Sequence, residues 1–122
     1  MRIMGILIPE DNTQPPRLVD AGDYAENIKE VLEVRSFDMT VLPGRTLSLY
    51  FDAEGAYKVG AVMNERASTF FYQESNRLAG VSEVSETLPR EAMIFGPVLV
   101  LGGPDSQGLD TSVGAEYIER II

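Results

Sequence analysis

Four carboxylates, Asp23, Glu26, Glu30 and Glu33, stand at i, i+3, i+7 and i+10 in a 122-residue chain that contains no histidine and no cysteine. On a helix that spacing gathers them on one face, in a row about 15 Å long at 1.5 Å rise per residue. A fixed row of negative charge recognises cationic groups on a partner. One strand of duplex DNA presents a phosphate about every 3.4 Å of axis, so the same row also approaches the charge density a DNA-mimicking inhibitor needs. Lys29 interrupts the row and Arg35 follows it, as on an ordinary solvated helix face.

The remaining residue types argue against catalysis. Without histidine the commonest general base and metal ligand is missing, and without cysteine there is neither a disulfide framework nor a thiolate metal site. Paired carboxylates can hydrolyse glycosidic bonds in a cleft with aromatic platforms, but the chain has no tryptophan and sets most of its phenylalanines on apolar faces. Asp52-Ala53-Glu54-Gly55 opens like a calcium loop and then lacks the later acidic ligands, which leaves a turn. Gly102-Gly103-Pro104 is not followed by the Lys-Ser/Thr of a phosphate cradle. The residues therefore predict a non-enzymatic chain with no catalytic residue, no cofactor and no metal. Its candidate partner-binding residues are Asp23, Glu26, Glu30 and Glu33.

Ten Lys+Arg against 19 Asp+Glu give 10 − 19 = −9, a balance opposed to direct contact with nucleic acid or an anionic membrane. The opening run Met1 to Ile8 ends at Pro9-Glu10, too short for a spanning helix. A cytoplasmic location is expected.

The elements that must position these groups are organised around Met93–Gly103, the one run that is apolar on both faces and rich in β-branched residues. It predicts a central strand covered on both sides. Residues 2–8 predict a neighbouring strand, and Arg17–Val19 a short return strand. A helix is expected over 21–33, with Tyr24, Ile28, Val31 and Leu32 as its buried stripe. Period-2 alternation then predicts a meander of three strands, over Val34–Val41, Leu47–Phe51 and Tyr57–Met63. Asn64 is a cap for a short helix near 65–72. Residues 73–91 fit either a further short helix or a flap, and residues 113–121 a terminal helix. The expected fold is α+β: a mostly antiparallel sheet of about five strands with the 21–33 helix on one face. Residues 1–103 form the domain and 104–122 an extension that packs on the sheet or, through 113–122, pairs with a second copy.

The order of these motifs resembles a small domain of unknown function common in actinobacteria, their plasmids and their phages. The likeness covers residues 1–103. It is carried by the turn at Asp52-Ala53-Glu54-Gly55, the Asn64-x-x-Ala67 helix start and Phe95-Gly96-Pro97-Val98-Leu99-Val100-Leu101-Gly102. The chain departs from the family at Leu32-Glu33-Val34 and Gly60–Met63, as a divergent member would. The resemblance implies a phage or mobile-element protein that works in the host cytoplasm by binding a host protein. A DNA mimic and a structural homo-oligomer are the alternatives.

Overall fold

Val98, Leu99, Val100 and Leu101 are fully buried, and the rest of the chain is arranged to cover them. In the computed structural model, which describes residues 1–122, five strands form one antiparallel sheet. They are β1 (Arg2–Ile8), β2 (Arg17–Asp23), β3 (Phe37–Val41), β4 (Leu47–Asp52) and β5 (Val98–Gly102), in the order β2-β1-β5-β4-β3. The apolar run thus occupies the middle of the sheet, with Ile6 opposite Val100 on one side and Tyr50 opposite Leu99 on the other. The fold is α+β, with three α-helices: α1 (Ile28–Leu32), α2 (Glu65–Leu78) and α3 (Ala115–Ile121). None is long and apolar enough to cross a membrane.

Alternation along β5 feeds two cores. Val98 and Val100 join Ile6, Ile8, Leu47 and Leu49 under α2 and α3. Leu99 and Leu101 join Ile3, Leu7 and Tyr50 under Ala25, Ile28 and Leu32. Burying each β5 side chain contributes roughly 1.5–3 kcal/mol before chain entropy is subtracted, so a strand apolar on both faces demands helices on both. The strand ends at Gly102-Gly103, where side chains have no room. A Cβ on Gly103 would lie 1.6 Å from the Arg45 carbonyl oxygen, and one on Gly102 2.4 Å from that of Ser112.

Asn64 ties the layers together. It is fully buried, and its side-chain oxygen accepts from the Ala67 N–H at 3.0 Å, capping α2. Its amide donates to the carbonyls of Ile8 (2.8 Å) and Gly96 (3.0 Å). One side chain thereby fixes the end of β1, the start of α2 and the entry to β5.

Several elements differ from expectation. The helix predicted over 21–33 is confined to Ile28–Leu32, because Ala21 to Asp23 pair with β1 as part of β2 and Tyr24 and Ala25 take left-handed φ of 54° and 59°. Of the predicted stripe, Ile28 and Leu32 are buried while Tyr24 is 66% exposed. Strand pairing had been masked by a pattern that also fits 3.6 residues per turn. The meander keeps two strands, β3 and β4; Tyr57–Met63 is instead the end of a 3-10 turn at Gly55–Tyr57 and an exposed loop that makes one isolated bridge, Met63–Phe95, ahead of β5. The Asn64-capped helix runs on to Leu78 rather than stopping at 72, and residues 81–89 lie outside helix and strand.

Residues 104–122 are woven into the sheet. The Gly102 N–H donates to the Thr111 carbonyl and the Val113 N–H to that of Met4, each at 2.9 Å, and Val113 and Tyr117 complete the first core. The apolar side of α3 is thus occupied within its own chain.

Candidate functional site

Where β1 ends and β2 begins, the connection 9–16 is held against α2. The Arg66 guanidinium donates to the carbonyls of Pro9 (2.7 Å) and Asp11 (3.0 Å), and Asp11 closes a local turn onto the Thr13 N–H. α1 runs back toward this end and stops at Glu33, whose left-handed backbone (φ 57°, ψ 49°) terminates the helix. Between them lies a cleft of about 390 Å³ with Leu7, Val19, Val31 and Leu32 in its wall and Glu10, Arg17, Glu30 and Glu33 around it.

Glu10, Glu30 and Glu33 make no ion pair within the chain; the paired carboxylates are Asp20, Asp23, Asp52, Glu54, Glu74 and Glu116. A cleft that combines apolar wall with three unpaired carboxylates suits a long cationic side chain, whose aliphatic stem packs while its head is neutralised. No three carboxylates converge closely enough to hold a metal ion.

The structure divides the four sequence-predicted residues. Glu30 and Glu33 meet at the cleft. Asp23 closes β2 at the opposite end of the β1–β2 ladder, where it pairs with the N-terminal ammonium at 3.1 Å, and Glu26 lies in the turn between β2 and α1. They do not form one row, since no helix joins them.

Glu10 and Pro97 also border a second depression, formed by the loop after β4. That loop exposes Tyr57 (88%), Val59 (106%) and Val62 (54%), an unusual concentration of bare apolar side chains. It is anchored by Lys58, which donates to Asp52, and the Asp52 carboxylate also accepts from the Glu54 N–H. Burial pushes the Asp52 carboxyl up, but these donors outweigh it and hold it below its ordinary value. Sequence reading missed Glu10, Arg17 and this loop. The alternation of Tyr57, Val59 and Ala61 looked like a strand, and only Gly60 within it pointed to a turn.

A second charged cluster has a different character. Glu74 on α2 is 2% exposed and accepts from the Arg77 guanidinium (2.9 and 2.5 Å), the Arg120 guanidinium (3.0 and 2.8 Å) and the Tyr117 hydroxyl (2.5 Å). Arg120 lies over the Tyr117 ring, 5.1 Å from its centroid, and Phe70 meets that ring edge-on. Arg77, then Arg120 and Tyr117, hold the Glu74 carboxyl far below the usual carboxylate range. Burial first, and then the hydrogen bond to Glu74, push the Tyr117 phenol up. With both oxygens fully engaged, Glu74 is an anchor for α3 and not a free acid or base.

Comparison with protein-family models, with curated proteins and with solved structures returned no match to this chain.

Proposed function

We propose that this chain is a non-enzymatic, protein-binding domain that takes a lysine or arginine side chain of a host protein into the cleft between α1 and the β1–β2 connection. The observation that carries this reading is the set of unpaired carboxylates Glu10, Glu30 and Glu33 around an apolar wall. The exposed Val59 and Val62 line the depression that shares Glu10 and Pro97 with the cleft and supply apolar contact area beside the charged groove, the combination of anchor and polar rim found at protein interfaces. The net charge of −9 speeds encounter with a basic surface. Origin on a phage or mobile element, with action in the host cytoplasm, is part of this proposal and rests on the sequence resemblance.

The test is crosslinking capture from host lysate with the folded chain as bait, run beside a Glu30→Lys/Glu33→Lys variant. Expected is a captured species that the variant loses. No species above background, or equal capture by both baits, overturns the proposal.

A DNA-mimicking inhibitor is the second reading, favoured by the unpaired Glu26, Glu30 and Glu33 on one side of the sheet. It is separated by competition: a duplex oligonucleotide displaces a mimic's partner, whereas a partner held by the cleft stays bound at moderate salt.

A further inference from the structure

We infer that the outer edge of β3 pairs with β3 of a second copy of this chain, antiparallel and centred on Met39, so that the two sheets become one. The Leu42 N–H donates to the Leu47 carbonyl and the Ala53 N–H to that of Ser36, and the register Phe37–Asp52 to Val41–Ser48 is unbroken between them. In an antiparallel ladder the bonded residues alternate. Ser36, Asp38, Thr40 and Leu42 therefore turn their backbone groups toward β4, and Phe37, Met39 and Val41 turn theirs outward, where the sheet ends.

The two edges of the sheet are not equivalent. β2, at the other edge, pairs with β1 across a register shift between Arg2 and Met4 and carries Arg17, Asp20 and Asp23, with Asp20 bonded to both Arg2 and the Gly22 N–H. Irregular pairing and charge are how proteins protect an edge. β3 has no bulge, one charge in Phe37-Asp38-Met39-Thr40-Val41, and Met39 52% exposed at its centre.

That strand is complementary to itself in one register. A two-fold axis at Met39 sets Phe37 opposite Val41 of the second copy and Met39 opposite Met39, apolar against apolar. Each of these pairs exchanges both of its backbone hydrogen bonds. On the other face Asp38 falls opposite Thr40, a carboxylate against a hydroxyl donor, and no like charges meet. A slip of one residue loses both matches. The occupant is therefore another β3 in an isologous dimer.

Sedimentation equilibrium of the full chain tests this, together with amide hydrogen exchange over a range of protein concentrations. Expected is a monomer–dimer equilibrium strengthened by added salt, since two copies of net charge −9 repel each other through solution. The amides of Phe37, Met39 and Val41 gain protection as concentration rises, and those of β2 do not. Met39→Lys sets two ammonium groups face to face on the axis and weakens the dimer by at least about tenfold, with the circular dichroism of the monomer retained. Thr40→Asp, which opposes Asp38 of the second copy, does the same from the other face. A monomer at high concentration and salt, a dimer indifferent to Met39→Lys, or unchanged exchange at the three amides overturns the inference. The exchange measurement decides even where a variant fails to fold.

Discussion

Glu74 and the Glu30–Glu33 pair are carboxylates of one small domain put to opposite uses. Glu74 is buried, receives two guanidinium groups and a phenol, and has no acceptor capacity left for a ligand. Glu30 and Glu33 stand at a solvent cleft with no partner in the chain. A buried charge must be fully paired, because an unpaired one costs several kcal/mol. A charge left unpaired at the surface costs little and remains available. Function is therefore sought where the fold has not used the charge.

Breaking the buried side of this contrast should have the largest effect. Glu74→Ala leaves Arg77 and Arg120 facing each other without their anion. A loss of about 3 kcal/mol is expected, at the lower end of such values because both guanidinium groups reach solvent (57% and 41% exposed). Chemical denaturation measures it, and a loss below about 1 kcal/mol would reduce Glu74 to an ordinary surface charge.

Asn64→Ala removes a helix cap and two donors to buried carbonyls, for an expected loss of about 2–3 kcal/mol. Asn64→Asp keeps the capping oxygen but faces the carbonyls of Ile8 and Gly96 with a carboxylate, and should be the more destabilising of the two. The opposite ranking in denaturation midpoints would mean that the cap alone matters.

Tyr117→Phe deletes one donor to Glu74 while keeping the ring between Phe70 and Arg120; about 1 kcal/mol is expected. Acid should sharpen the same distinction. The Glu74 carboxyl is depressed in the folded chain, so its stabilising contribution is complete above the unfolded carboxylate range and declines as pH falls below it. The wild type should therefore lose more stability than Glu74→Gln between neutral pH and pH 3, and parallel curves would show that the cluster does not stabilise through its charge.

The smallest effect on stability is expected at the cleft. Glu30→Gln/Glu33→Gln should leave the thermal midpoint unchanged within a degree or two, since unpaired surface groups contribute little, while weakening partner capture. A large fall in the midpoint would make these carboxylates structural and remove the contrast with Glu74.

Much of the sheet was legible in the chain. The apolar run at 98–102, the similar run at 2–8 and the alternation at 47–51 announced their strands, because burial on two faces and on one leave different periods. Asn64 was legible as a cap through its place before Glu65 and an apolar face, although its bonds to Ile8 and Gly96 were not. Residues 21–33 misled, since Ala21, Ala25, Ile28 and Leu32 do all enter one core but do so through a strand, a left-handed turn and one short helix.

The candidate site was half visible. Glu30 and Glu33 were in the acidic row, but Glu10 and Arg17 belong to a connection and a strand start whose approach to α1 no local pattern encodes. The sequence by itself determined the acidity, the two-faced central strand and, through it, the need for a layer on each side. Only the tertiary structure decided which carboxylates are spent on the fold and which remain open. That choice depends on Arg120 and Tyr117 meeting Glu74 across more than 40 residues, and on α1 reaching the end of β1. Charge pairing is settled by distance in space, which spacing along a chain does not fix.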